Sequence, residues 1–166
     1  GARIVLSECE GFKSSVWATG FDAAFHGITQ ALLEPRHERL PNLVNVISPL
    51  TVGRLDELEI ERLFEPLGLQ ANFVPCYATL EGLRKTVQAT ATVSTCMTYG
   101  DYSARQLEEH YGVPFTRDVM PLGIESTDAW LRNLAPLVGK EQQVERLIAE
   151  EHERIKPTLE LLRSRL

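Results

Sequence analysis

The sequence predicts an α/β fold: a parallel sheet of about five strands with helices on both faces, a three-layer sandwich of the Rossmann or flavodoxin kind, followed by a long C-terminal helix. Three observations carry that prediction. Short apolar runs rich in β-branched residues alternate with longer segments of helical period, and such alternation folds as right-handed βαβ units. Glycines stand where helices should stop, and prolines where strands should end. The length, 166 residues, suits one domain with a single core.

Taken in order, the strand-like runs are "RIVLSE", "NLVNVIS", "ANFVPC", "ATVSTC" and "FTRDVMP". Between them, helical spacing covers Ser15 to Leu33, Leu55 to Leu67, Leu80 to Ala89, Tyr99 to His110 and Thr127 to Val138. Gly68 and Gly112 follow two of these as C-terminal caps should, and Pro75, Pro114 and Pro121 mark strand edges and loops. Thr79 before "LEGLRK" and Ser126-Thr127-Asp128 before "AWLRNL" are expected N-caps. After Gly139 comes a charged segment whose apolar stripe is Val144, Leu147, Ile148, Ile155, Leu159 and Leu162, with a break or kink expected near Pro157. The expected division is therefore residues 1–139 as the parallel α/β domain and 140–166 as a helical segment packed on it or on a partner. Because the chain opens at Gly1 almost directly on strand-like sequence, we expect a piece of a longer, multi-domain polypeptide.

An apolar fraction of 43% and a charged fraction of 24% are those of an ordinary globular protein. A net charge of −6 argues against nucleic acid or an anionic membrane as partner, since both need clustered Lys and Arg. No apolar run approaches the roughly 20 residues of a membrane span, and no charged-then-apolar leader appears, so a cytoplasmic location is expected. Cys9, Cys76 and Cys96 are odd in number. Free thiols or metal ligands are expected rather than a disulfide framework.

The glycine signatures of dinucleotide and P-loop sites are absent, as are a G-x-S-x-G elbow and an H-E-x-x-H helix. His26, His37, His110 and His152 are scattered, mostly on helical faces, and fit surface roles. Open α/β sheets bind ligands at the carboxyl ends of their strands. There the predicted strands place "CEGFKSSVWATGFD", "CYATL" and "CMTYGDY", so all three cysteines face one rim. Free cysteine often only fills a core, and thiolate is also the ligand that iron-sulfur clusters select. No C-x-x-C spacing exists, so the chain has no conventional four-thiolate site of its own. One cysteine acting with ligands from elsewhere is the geometry left open.

The segment "ATATVSTCMTYGDYSARQLEEHYGVPFTRDVMPLGIESTDAWLRNLA" resembles the central domain of the nitrogenase component 1 family. "EEHYGVPF" is similar to that family's "EEKYGIPW" type of run, "CEGFKSSVWATGFDAAFHGI" to its "CEGF" loop, and "NLVNVISPLTVGRLDELEIERLFEPLGLQ" to its next strand and helix. The resemblance covers nearly the whole chain. It implies that Cys96 is the single thiolate on one terminal iron of a complex iron-sulfur cofactor, with molybdenum, vanadium or iron alone as its metals. It further implies that Cys9, Ser15, Trp17, Gly20 and Phe21 line the cofactor pocket. The implied partners are a β-like subunit, in a heterodimer or heterotetramer, and an ATP-dependent iron-sulfur reductase as electron donor. Other cofactor ligands would lie in domains beyond this chain, leaving the chain alone inactive.

Cys96 resembles the α-like side of the family, and "TGFD" the "TGYD" of the β-type. Phe21 stands where the molybdenum α subunit has a hydrogen-bonding histidine, and Trp17 where it has a glutamine. Phe donates no such bond, and groups around a cluster tune its potential. These departures imply a nitrogenase-like reductase acting on a small molecule other than dinitrogen, for example at a carbon-sulfur bond. The alternatives are a scaffold for assembly of an iron-molybdenum-type cofactor and a domain whose cysteines only pack.

Overall fold

A computed structural model gives the fold, describing residues 4–7, 17–36, 38–48, 53–96, 99–116 and 119–165. The side chains of residues 17, 18 and 48 lie outside that description. The order is α1 (Trp17–Leu32), β1 (Leu40–Ser48), α2 (Arg54–Phe64), β2 (Gln70–Pro75), α3 (Leu80–Lys85), β3 (Ala89–Ser94), α4 (Asp101–Tyr111), α5 (Gly123–Val138) and α6 (Glu141–Arg163). The strands form a parallel sheet in the order β2-β1-β3.

Side chains alternate across the strands and divide the interior in two. Val44, Val46, Ala71, Phe73, Ala91 and Val93 meet Ile60, Leu63 and Phe64 of α2, Trp130, Leu131 and Leu134 of α5, and Val144, Leu147 and Ile148 of α6. On the opposite face, Ile47 and Val74 meet Phe25 of α1 and Ala104 of α4. Helices thus cover both faces, as the sequence predicts. The second face also buries a polar row that the apolar run "NLVNVIS" conceals. Asn72, Asn45 and Thr92 are register partners across the three strands. Asn72 donates to Asn45 Oδ1 at 2.9 Å, and Asn45 donates to Thr92 Oγ1 at 3.2 Å and to the Thr86 carbonyl at 2.9 Å. The buried Asn45 amide is therefore satisfied at both its oxygen and its nitrogen, as burial requires.

The sheet is smaller than the five strands expected. The described part of "RIVLSE", residues 4–7, forms no strand; Ile4 is 94% and Leu6 88% exposed, and Ser7 donates to the Ala23 carbonyl of α1 at 3.2 Å. Among the described residues, "FTRDVMP" contributes a single parallel bridge, Thr92 with Phe115. There the Thr92 N–H donates to the Pro114 carbonyl and the Thr116 N–H to the Thr92 carbonyl, and Pro114 itself has no N–H to extend the ladder.

Two helix details also differ. The N-cap expected at Ser126 to Asp128 falls inside α5, which starts at Gly123, and Thr127 Oγ1 donates back to the Gly123 carbonyl at 2.7 Å. Helix α6 continues through Pro157, a position exposed to water, where solvent can satisfy the carbonyl left without its N–H. The Thr79 cap is observed, its hydroxyl accepting the Gly82 N–H at 3.0 Å. Gly68 and Gly112 take the left-handed conformation as caps.

Candidate functional site

Helix α2 leaves β1 on one face of the sheet, and α4 leaves β3 on the other. The connections after these neighbouring strands therefore diverge at the carboxyl rim, the arrangement that opens a ligand crevice in α/β sheets. Cys96 stands two residues beyond β3 at that point, partly exposed. Three contacts fix its main chain. Ser94 Oγ donates to the Cys96 carbonyl at 2.6 Å and accepts the Cys96 N–H at 3.1 Å. The Thr95 N–H donates to the Ile47 carbonyl at 3.1 Å, tying the turn to the central strand. Beneath it, Trp130 Nε1 donates to the Ser94 carbonyl at 2.9 Å while its ring stacks on Phe64.

Gly100 closes the loop at φ +81°, and a Cβ there would collide with Ile47 Cγ2. This end of the loop is therefore pressed onto β1 where only glycine fits. Next begins α4, whose cap residue has no side chain to offer. Asp22 of α1 supplies the missing acceptor: its Oδ2 accepts the Tyr102 N–H at 3.3 Å, across 80 positions of sequence. Phe21 packs edge-to-face against Tyr99 of the cysteine loop, centroids 5.3 Å apart. Desolvation, and then the neighbouring Cys96, raise the Tyr99 phenol above its ordinary range.

Of the residues singled out from the sequence, the structure brings Phe21 against the Cys96 loop, one turn along from the start of α1 at Trp17. Gly20 lies beside Phe21 on α1, and an added Cβ there meets nothing within 4 Å among the described residues. Cys9 and Ser15 lie outside the described residues, as does the Trp17 side chain. Cys76 leaves the sheet at the same rim, one residue past β2. Burial, aided by the Glu57 charge, pushes its thiol pKa up, which favours the protonated form over a ligating thiolate. With β1 between their strands, Cys76 and Cys96 sit about 10 Å apart by two strand spacings, too far for a disulfide. Neither belongs to a disulfide among the described residues.

No group of three or more His, Cys, Asp or Glu side chains that could hold a metal ion occurs among the described residues. Among the described residues the donor set here is one soft sulfur at a strand end. That chemistry fits a cluster held by a single cysteine from this chain with its other ligands elsewhere, and does not fit a self-contained metal site.

Sequence reasoning missed Asp22 and His26 on α1 and Ser103 on α4, each with a buried polar atom that has no hydrogen-bond partner among the described residues, and a cavity of about 180 Å³ beside Thr95, walled by Ile60, Leu63, Thr127 and Trp130. The polar spacing Asp22, His26, Thr29 on a mostly apolar helix was the available signal for the first. The second depends on how α5 meets α2, which no local pattern reveals.

The molecule is thus a parallel α/β domain that carries a cysteine loop, held by hydrogen bonds, at the carboxyl rim of its sheet. Residues 1–166 match the family described as Nitrogenase component 1 type Oxidoreductase, and the chain belongs to that family. It is 32% identical over 117 residues to the B-type subunit of the light-independent protochlorophyllide reductase of Roseiflexus castenholzii, covering 68% of this chain and 21% of that protein. It is 28% identical to the nitrogenase vanadium-iron protein beta chain of Trichormus variabilis, covering 74% of this chain and 30% of that one. Its likeness to the nitrogenase molybdenum-iron protein alpha chain of Methanosarcina barkeri, at 24% identity, spans 100% of this chain and 32% of the relative. A chain of the solved nitrogenase Cp1 superimposes with a TM-score of 0.80, covering 96% of this chain and 32% of that one at 24% identity, which establishes the shared fold. This chain thus spans about a fifth to a third of the relatives' length.

Proposed function

We propose that this chain is one domain of a nitrogenase-like oxidoreductase subunit and that Cys96 supplies a single thiolate to a complex iron-sulfur cofactor shared with other domains. The observation that carries the proposal is the pinning of the cysteine loop at both ends, Ser94 to Cys96 and Tyr99 to Gly100. Hydrogen bonds from Ser94 and Thr95, the glycine contact with Ile47 and the Asp22 cap hold a partly exposed thiol at the ligand rim. Rigid support of that kind is what a metal ligand needs and what a packing residue does not.

When bound, such a cofactor supplies multi-electron reduction of a small molecule. This chain's own residues would ligate and orient it through Cys96 and wall the pocket with the aromatic Phe21–Tyr99 pair, beside Gly20, where an added Cβ meets nothing within 4 Å among the described residues. Phe21 offers no hydrogen-bond donor, which supports a substrate other than dinitrogen. Relatives named as one subunit of a reductase and as a beta chain support a companion subunit, and we include in the proposal a separate iron-sulfur reductase that delivers electrons.

The test is iron, sulfide and heterometal analysis with electron paramagnetic resonance on the anaerobically purified parent complex, wild type against Cys96→Ala. Loss of a cofactor-type signal, with other clusters retained, is expected. Unchanged metal content and spectra would return Cys96 to a packing role.

A further inference from the structure

Helices α1 and α4 pack through a polar seam. Asp22, His26 and Thr29 share one face of α1; Ser103 and Gln106 lie on the facing side of α4. At one end Thr29 Oγ1 donates to Gln106 Oε1 at 2.9 Å. At the other, Asp22 Oδ2 accepts the Tyr102 N–H beneath the cysteine loop. Between these ends, Asp22 Oδ1, His26 Nδ1 and Ser103 Oγ are buried without a hydrogen-bond partner among the described residues. Asp22 is 4% and Ser103 0% exposed. Buried polar atoms are paired in the great majority of cases, and clustered orphans are where internal water resides.

We propose that this seam is a hydrated proton path ending beneath the Cys96 loop, with internal water joining His26 Nδ1, Ser103 Oγ and Asp22 Oδ1 and with Asp22 holding the proton at the loop end. The His26 ring, partly exposed and tilted against Tyr102, is the entrance. The ring takes a proton from solvent and releases one to the waters; the Asp22 carboxylate gains a proton and releases it toward the rim. Every group returns to its starting state, and nothing is oxidised or reduced. Asp22 faces Asp101 from α4, which opposes its ionisation, and His26 from its own helix, which favours it. The N–H groups of Tyr102 and Gly100 also favour the carboxylate, but burial outweighs them and lifts the carboxyl above its ordinary range. The group thereby holds a proton to higher pH than an ordinary carboxyl does.

The proposal rests on Cys96 as cofactor anchor, and its test reads separately from that of the anchor. In the full-length complex, a high-resolution crystal structure should show ordered water within hydrogen-bond distance of the three atoms. Infrared difference spectra across a pH titration of the resting complex should show a protonated-carboxyl band that Asp22→Asn abolishes. The asparagine still accepts the Tyr102 N–H, so metal content and substrate KM should hold while the rate of substrate reduction falls by roughly a hundredfold. Should that variant fail to assemble, Ser103→Ala decides: it should displace a water and shift the band. A dry seam, or an infrared band indifferent to both substitutions, overturns the proton path, whereas loss of metal in Cys96→Ala bears only on the anchor.

Discussion

Replacing Gly100 by alanine tests whether the cysteine loop is held by its fit against β1. Two costs follow from the geometry. At φ +81° and ψ 10° an L side chain pays about 1–2 kcal/mol in backbone strain. The added methyl also falls inside contact distance of Ile47 Cγ2 and 2.9 Å from its Cδ1. Ile47 is fully buried and β-branched, with little freedom to turn away, so overpacking adds about 1–3 kcal/mol. The sum, about 2–5 kcal/mol, is a large share of a typical domain's stability. Gly139→Ala separates the two costs, since Gly139 has φ +65° and no neighbour within 4 Å of an added Cβ among the described residues. Urea unfolding of both variants, followed by circular dichroism with the slope held in common, should place Gly100→Ala about 1–3 kcal/mol below the control. Equal losses would show that Ile47 yields freely and that the loop is not pinned as described.

Trp130→Phe keeps most of the ring's bulk but leaves the Ser94 carbonyl without its indole donor. A loss of about 1–3 kcal/mol is expected, read from the same unfolding curves, and a loss near zero would mean that water replaces the bond. Glu151 accepts from Arg62 at 2.7 and 2.9 Å and also bonds Arg154. The Arg62 bond, reinforced by Arg154 against partial desolvation, lowers its pKa to about 2 from an ordinary 4.5. A carboxylate depressed by folding stabilises the protein above its unfolded pKa, and that contribution fades as the pH falls through the folded value. Glu151→Gln should therefore cost about 1 kcal/mol at neutral pH, and its Tm difference from wild type should shrink between pH 4.5 and 2. A difference that persists at the acid end would mean that packing, not charge, makes the contact.

Much of the fold was legible because its signals are local. The strands "NLVNVIS", "ANFVPC" and "ATVSTC" carry β-branched runs bounded by turn residues, and Gly68 and Gly112 mark helix ends by the one conformation that glycine adopts without strain. The two runs that did not become strands have the same local pattern. They differ in what lies beside them: Ile4 and Leu6 are left largely exposed, and among the described residues Pro114 stands beside a single bridge. Sheet membership is decided by partners, which an apolar run does not name. The N-cap expected at Ser126 to Asp128 fell inside α5 for a related reason, because Thr127 bonds back to the preceding turn and so sits comfortably inside a helix.

The candidate site divides along the same line. Cys96 was visible since a cysteine at a strand end needs only the strand to be recognised. Its support was not, because each element arrives from a distance: Asp22 across 80 positions, Trp130 across 36, Ile47 from the neighbouring strand. The Asp22 contact joins the two stretches that carry the family likeness. The α1 segment meets the cysteine loop through a carboxylate on a helix start and an aromatic edge on Tyr99. A domain that merely buried its cysteine would gain nothing by placing an underpaired carboxyl there. That cost in stability is accepted at functional sites, where local consistency gives way to chemistry. Asp22 and the Cys96 loop are therefore joined through the start of α4, where the carboxylate accepts the Tyr102 N–H.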